Sequence, residues 1–494
     1  MNSQDATIDL CIVAHTNAGK TTLARTLLER DIGEVRDQPH VTEIAEMHVL
    51  LETPQGDALR LWDTPGFGDS VRLLKRLMKA DNPIGWMLRE VWDRYRDRPL
   101  WCSQQAMRAA REASDVVLYL ANAAEDPRDA AYIAAELQIL RWIGKPVLLL
   151  LNQVGPPKQP DAERAEEERW RLHVAPLAVV RGVLTLDAFA RCWVQEGLLL
   201  RAIEKVLPDT KRAAFSRLSD AWTARNLVRF DAAMAILAGQ IARAAGDREP
   251  LAAVDQGGIA RQVLKSLGMG GDAEKAERER AIDALAKRLD LDTREAMRKL
   301  IGLHGLEGSV TAIVLQRVRD SFTEMDHMGE GRAATVGGIV SGALSGLAAD
   351  LAAGGLTVGG GMLIGSLLGA LGGAGIARGY NMITGSGPPA VGWSGASLDA
   401  LTATAMLRYL AVAHFGRGRG EYVEGEAPAF WRDEVTRAIA DHTPTLHALW
   451  ENAADRENLT QIQHDLQDTL STAIAALLER LYPGQVPTAL HGPR

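Results

Sequence analysis

The chain has 494 residues, too many for one hydrophobic core, so two or three domains are expected. Apolar residues make up 47% and charged residues 24%, a balance that excludes a disordered chain. The formal net charge of −8 argues against a broad nucleic-acid surface, which needs clustered Lys and Arg to displace counterions.

Residues 1–9 are polar and acidic. They lack the basic start and apolar run of a signal peptide, so the N-terminal half is expected in the cytoplasm. The three cysteines, Cys11, Cys102 and Cys192, have no metal-ligand spacing and read as reduced thiols.

Over residues 1–207, strand-like and helix-like segments alternate, the pattern of an α/β sheet with crossover helices. Short apolar runs at 8–13, 47–52, 59–62, 116–121 and 147–151 are the strands. The second and third are joined by Thr53-Pro54-Gln55-Gly56-Asp57, which is turn chemistry, so they form an antiparallel hairpin. Residues 69–112 carry Trp86, Trp92 and Trp101 among many Arg and Lys, and read as a helical insertion whose aromatics anchor a small core of its own, with contact to a partner or to the rest of the chain as the alternative. A helix over 197–207 ends at Pro208.

The region 209–330 is helical by pattern and broken by glycine clusters. Composition then changes sharply. Between 333 and 377 the only charged residue is Asp350. Glycines recur four apart, at Gly338, Gly342 and Gly346 and again from Gly361 to Gly373. Four apart is one helix face, which lets two backbones approach closely. The pattern predicts a glycine-rich apolar helical hairpin over 333–384. Ordinary amphipathic helix returns over 397–494, ending in a loose tail. The fold expected is an α/β P-loop domain, mostly parallel with one antiparallel strand, followed by an all-α domain.

The strongest motif is Ala14-His15-Thr16-Asn17-Ala18-Gly19-Lys20-Thr21, with Thr22 next, between a predicted strand and a predicted helix. Backbone N–H groups of such a loop point at a β-phosphate. Lys20 brings a point charge to the β- and γ-phosphates, and the Thr21 hydroxyl ligates Mg²⁺. The second motif, Asp63-Thr64-Pro65-Gly66, ends the third strand. Asp63 is placed to hold Mg²⁺, and the Gly66 N–H to sense a γ-phosphate. Thr42 stands where a switch threonine closes over the metal. Lys20, Thr42 and Gly66 are the candidate catalytic positions. Asn152-Gln153-Val154-Gly155 occupies the base-recognition position. Asn152 fits, and Gln153 can lay its stem along the base. Gly155 cannot accept the N1–H and N2–H of guanine, as an aspartate would. Asp161 is close in sequence and is the candidate substitute for that aspartate, and the last motif, expected near 184–188, is too degenerate there to weigh.

On Asn17-Ala18-Gly19-Lys20-Thr21, Asp63-Thr64-Pro65-Gly66 and Asn152, the first two fifths of the chain resemble the Era/TrmE (TRAFAC class) group of bacterial GTPases. The resemblance implies a GTPase with GTP or GDP and Mg²⁺ as ligands. Phe67 stands where Ras-like proteins keep a catalytic glutamine, which implies slow hydrolysis without one. Asn17 matches the asparagine that helps bind K⁺ in TrmE-like members, and a loop-shaping role for it is the alternative. The layout is also similar to a bacterial family in which such a domain precedes a helical region with a glycine-rich apolar hairpin.

Three functions follow. The first is a GTP-hydrolysing switch coupled to the helical half. The second is membrane action. Residues 351–377 are long enough to span a bilayer, 333–349 are marginal, and a soluble packed hairpin is the alternative. The third is a nucleotide-gated scaffold with relaxed base choice and little hydrolysis. Nucleic acid is the weakest partner, since Arg417-Gly418-Arg419-Gly420 is too short for an RNA-binding motif. The protein partner has no signature.

Overall fold

The computed structural model describes residues 6–29, 45–89, 97–155, 158–188, 192–251, 270–306, 380–383, 390–415, 430–453 and 458–490. Two compact units emerge. The first holds Met1–Val228, Ala413–Val423 and Leu481–Ala489; the second holds Arg229–Val412, Glu424–Arg480 and Leu490–Arg494.

The first unit is built on β1 (Thr7–Ala14), β2 (Glu46–Glu52), β3 (Ala58–Asp63), β4 (Val116–Asn122), β5 (Val147–Asn152) and β6 (Val180–Thr185). Their order across the sheet is β2-β3-β1-β4-β5-β6. Every pair is parallel except β2 with β3, the hairpin expected from its turn. Strands β4 and β5 are almost wholly apolar and buried, as central strands covered on both faces must be. The edge strand β2 alternates instead, and Met47 and Val49 are exposed. Strand β6 was not anticipated; only Val183 and Thr185 are buried in it and Arg181 is exposed, which gives a weak apolar signal.

Helices α1 (Lys20–Leu28), α5 (Ala131–Ile143) and α6 (Pro160–Val174) connect the strands, and α7 (Trp193–Val206) follows the last of them. The charge-dense α6 buries only Trp170 and Val174; Glu168 pairs with Arg171 in solvent, and the half-buried Glu166 pairs with Arg169. The insertion is helical, as α2 (Ser70–Leu77), α3 (Pro83–Arg89) and α4 (Arg98–Arg108). Leu73, Leu77, Met87, Leu100 and Met107 enter the main core, with Trp86 packed against it, so the described part of the insertion shares that core; Trp92 lies outside the described residues.

Helix α8 (Asp209–Gly246) begins in this unit and runs past its boundary at Val228. Lys211 Nζ donates to Thr7 O at 2.9 Å and to Asp115 Oδ2 at 2.6 Å. Arg217 forks onto the buried Asp57, Nε to Oδ2 at 2.7 Å and a terminal nitrogen to Oδ1 at 2.8 Å. That guanidinium holds the Asp57 carboxyl below its usual range. The hairpin turn over 53–57 is thereby tied to α8.

The second unit holds the rest of α8, α9 (Gly270–Leu303), α10 (Gly395–Ala413), α11 (Phe430–Asn452) and α12 (Leu459–Leu481). Phe230 meets Tyr409 edge-on at 5.8 Å, and Gln240 Nε2 donates to Thr293 Oγ1 at 2.7 Å. This half is not purely helical. Strands β7 (Arg248–Pro250), β8 (Tyr380–Ile383) and β9 (Ala390–Trp393) form a small antiparallel sheet in the order β7-β9-β8. Residues 380–383, assigned by pattern to the end of the hairpin, are therefore strand. Three- and four-residue strands lie below the length at which alternation can be read. Residues 333–379 lie outside the described residues. Among the described residues no helix is long and apolar enough to cross a membrane.

Candidate nucleotide site

The P-loop leaves the C-terminal end of β1, at the centre of the sheet. Gly19 lies in the left-handed region at φ +84° and ends the loop directly before α1. A Cβ on it would fall 2.6 Å from Asn152 Nδ2. Glycine is thus required twice, by conformation and by space. The exposed Asn17 is also left-handed, at φ +64°, a region asparagine enters more readily than most residues. Lys20 is buried, and its Nζ donates to His15 O at 3.2 Å. Burial lowers its pKa, opposed by the charges of Asp63 and Glu136.

The 63–67 loop is stitched onto this one. Phe67 N–H donates to Ala14 O at 2.9 Å, and Thr16 donates to Phe67 O twice, from N at 3.1 Å and Oγ1 at 2.7 Å. The Phe67 ring is fully buried in the core, so this side chain does not face the loop surface. A Cβ on Gly66 would stand 2.9 Å from Lys20 Nζ and 3.0 Å from Thr16 Cα. Thr21 Oγ1 donates to Asp63 Oδ2 at 2.7 Å, while the buried Asp63 Oδ1 has no hydrogen-bond partner among the described residues. Burial pushes the Asp63 carboxyl up to about 6, against the pull of Thr21 and Lys20. A buried carboxylate oxygen left unbonded beside a threonine hydroxyl fits Mg²⁺, a hard cation that takes oxygen ligands.

The end of β5 is joined to this loop system by Asn152. Its Nδ2 donates to Ala18 O at 2.9 Å, and its Oδ1 accepts from Ala188 N–H at 2.9 Å, so one side chain joins three loops. Gln153 is left-handed at φ +59°, its Nε2 lying 3.7 Å from the Cβ position of Gly19. Gly155 is at φ +80°, and none of the described residues lies within 4 Å of its Cβ position.

His15, Thr16, Asn17, Ala18, Gly19, Lys20, Thr21, Asp63, Gly66, Asn152 and Gln153 thus gather around one loop system; Thr22 is buried on α1 beside Thr21. Thr42 lies outside the described residues. Asp161 does not join the group: its carboxylate is almost fully exposed and pairs with Arg164.

Two residues here carry no motif and escaped the sequence reading. Glu136, fully buried on α5, accepts from Tyr119 OH at 2.7 Å and lies 2.7 Å from His15 Nδ1. The His15 ring stacks on Tyr132 at 4.3 Å. The loop's second residue is therefore anchored to α5. The other is Asp187, whose Oδ2 accepts from Val154 N–H at 2.8 Å. A glutamate inside an otherwise apolar helix stretch was the available signal for the first; the second stands in the stretch 184–188 where the last nucleotide motif is expected, too degenerate there to single it out.

Residues 9–153 match the family described as 50S ribosome-binding GTPase. The solved structures that resemble the chain include Era in complex with MgGDPNP and nucleotides 1506–1542 of 16S ribosomal RNA. It is 17% identical, with 42% of this chain and 58% of that chain covered and a TM-score of 0.30. A point variant of Aquifex aeolicus Era bound to GDP·AlF4⁻ is 18% identical, with 41% and 58% covered and a TM-score of 0.30. An oligomerised bacterial dynamin pair is 11% identical, with 99% and 77% covered and a TM-score of 0.25. The chain thus spans 58% of the length of the Era structures it matches. No curated protein matches it. The N-terminal domain is a P-loop GTPase domain, and over residues 177–480, well over half its length, the chain matches the domain of unknown function DUF3482 and belongs to that family.

Proposed function

We propose that the chain is a GTP-binding and GTP-hydrolysing switch whose nucleotide state is passed to its helical half. One observation carries the reading. A buried lysine, a threonine hydroxyl and a carboxylate with an unbonded oxygen converge where two loops are hydrogen-bonded together. In this reading the backbone of His15, Thr16, Asn17, Ala18 and Gly19 cradles the phosphates, with Thr22 behind them in α1. Lys20 supplies charge to the β- and γ-phosphates. Thr21, Asp63 and Thr42 hold Mg²⁺, which when bound neutralises charge between those phosphates. The Gly66 N–H senses the γ-phosphate, and its loop moves Phe67 and Thr16 with it. Asn152 and Gln153 frame the base. With a phenylalanine buried where a glutamine could orient water, intrinsic turnover is slow, and Asn17 would hold a K⁺ that adds positive charge to the transition state. The TrmE-like part of the resemblance rests on that asparagine.

The test is binding and turnover of GTP against ATP, each in K⁺ and in Na⁺. Preference for GTP with faster hydrolysis in K⁺ is expected. Equal binding of both nucleotides, or binding without turnover, would replace this reading with a nucleotide-gated scaffold of relaxed base choice, which the open, carboxylate-free Gly155 favours.

Membrane contact is proposed for the apolar stretch 333–384, from its glycine stripe and its near lack of charge. The expressed chain should then sediment with membranes and resist carbonate extraction. Full recovery in the soluble fraction without detergent sinks the idea.

A further inference from the structure

Guanine presents two donors, N1–H and N2–H, side by side, and a carboxylate accepts both at once. Adenine has an acceptor and a C–H in their place, so one buried carboxylate separates the two bases. The base-recognition loop 152–155 has no such group. Restoring it at Gly155 would place a side chain in the left-handed region, at φ +80°.

The structure brings a different carboxylate to this loop. Asp187 follows β6 and is almost fully buried. Three hydrogen bonds tie its segment to the end of β5 and the loop beyond. Leu186 N–H donates to Leu151 O at 3.0 Å, Val154 N–H to Asp187 Oδ2 at 2.8 Å, and Ala188 N–H to Asn152 Oδ1 at 2.9 Å. The carboxylate therefore lies beside the backbone one residue before Gly155. Its own neighbour in sequence, Ala188, is clamped by the asparagine that also holds the P-loop. Among the described residues a Cβ on Gly155 would meet nothing within 4 Å, so none of them fills the space at this point.

We infer that Asp187 supplies the guanine-selecting carboxylate that position 155 lacks. The inference rests on the GTP reading above and names the residue that sets base choice within it. Asp187 would accept from guanine N1–H and N2–H, with Val154 N–H fixing its orientation. The acid has moved from one loop to the other, and Gly155 makes way for it.

The experiment is equilibrium binding of GTP, XTP, ITP and ATP, with Mg²⁺, to the full chain and to Asp187→Asn. An amide offers a donor where the carboxylate offered an acceptor. Xanthine has a carbonyl where guanine has its amino group. GTP binding should weaken by about a hundredfold, the loss of two charge-assisted bonds, and XTP binding should tighten by about tenfold or more. A purely structural role for Asp187 would weaken all four nucleotides together and would not create XTP binding. Asp161→Asn should leave the GTP preference intact. Should Asp187→Asn fail to fold, as read by its melting curve, Asp187→Ala serves instead. ITP lacks the N2–H, so its wild-type disadvantage against GTP should shrink to about unity in that variant. If the wild type selects GTP and Asp187→Asn still prefers GTP to XTP, the inference is overturned and the GTP reading stands. If the wild type binds GTP and ATP alike, both fall.

Discussion

Lys20→Ala is expected to lower GTP turnover by about a hundred- to a thousandfold, the effect of removing one preorganised electrostatic contact to developing charge. The side chain is buried, its Nζ already leans on the loop at His15 O, and two acids, Asp63 and Glu136, act on it through space. Its charge is thus held in a low-dielectric setting, where it is worth more than in water. Lys20→Arg should not rescue. The Cβ position of Gly66 lies 2.9 Å from Nζ, so a branched guanidinium would press on the 63–67 loop. Single-turnover hydrolysis checks both variants. Turnover of Lys20→Ala within tenfold of the wild type would remove the lysine from the mechanism.

Asp63→Asn should change sign with conditions. In EDTA without nucleotide, at about pH 7.5, the variant should melt higher than the wild type; with Mg²⁺ and GTP it should melt lower and hydrolyse GTP at least about a hundredfold more slowly. The reason is the buried carboxyl, raised from 3.8 to about 6 chiefly by desolvation. Between those values the folded protein keeps a proton that the unfolded chain has released. Stability is therefore lost as pH rises through this window. The full cost, at most about 3 kcal/mol, stands above about pH 6 and vanishes below about pH 4. The variant's advantage should follow the same window. Mg²⁺ reverses the sign because it binds the ionised carboxylate and so favours the folded wild type. Melting curves between pH 4 and pH 8, with EDTA and then with Mg²⁺ and GTP, read all of this. An advantage that does not vary with pH would show that the carboxyl is not desolvated as described.

Such an effect is characteristic of a site kept ready for a ligand. Asp63 stays destabilising by itself because Thr21 satisfies only one of its oxygens. A protein selected for stability alone would bond the second oxygen or replace the acid with an apolar residue.

What the sequence by itself determined was local and repetitive. Runs of buried apolar residues disclosed the central strands because both faces of β4 and β5 are covered. The turn over 53–57 dictated an antiparallel pair because its residues favour that geometry. The P-loop and Asp63-Thr64-Pro65-Gly66 were legible because phosphate binding needs those residue types at fixed spacing along the chain. Strand β6 was not, since an outer strand is only half-buried and its pattern is diluted. Neither were β7, β8 and β9, which are too short to display a period.

The tertiary structure alone decided which distant groups meet. Glu136 reaches His15 across 121 positions, and Asp187 reaches Val154 across 33, and no spacing rule links such pairs. Asp161, near in sequence, is turned to solvent on α6, whereas Asp187, from the loop after β6, meets the backbone beyond β5. A parallel sheet sets the C-terminal ends of β1, β3, β5 and β6 side by side, so residues far apart in the chain become the walls of one site.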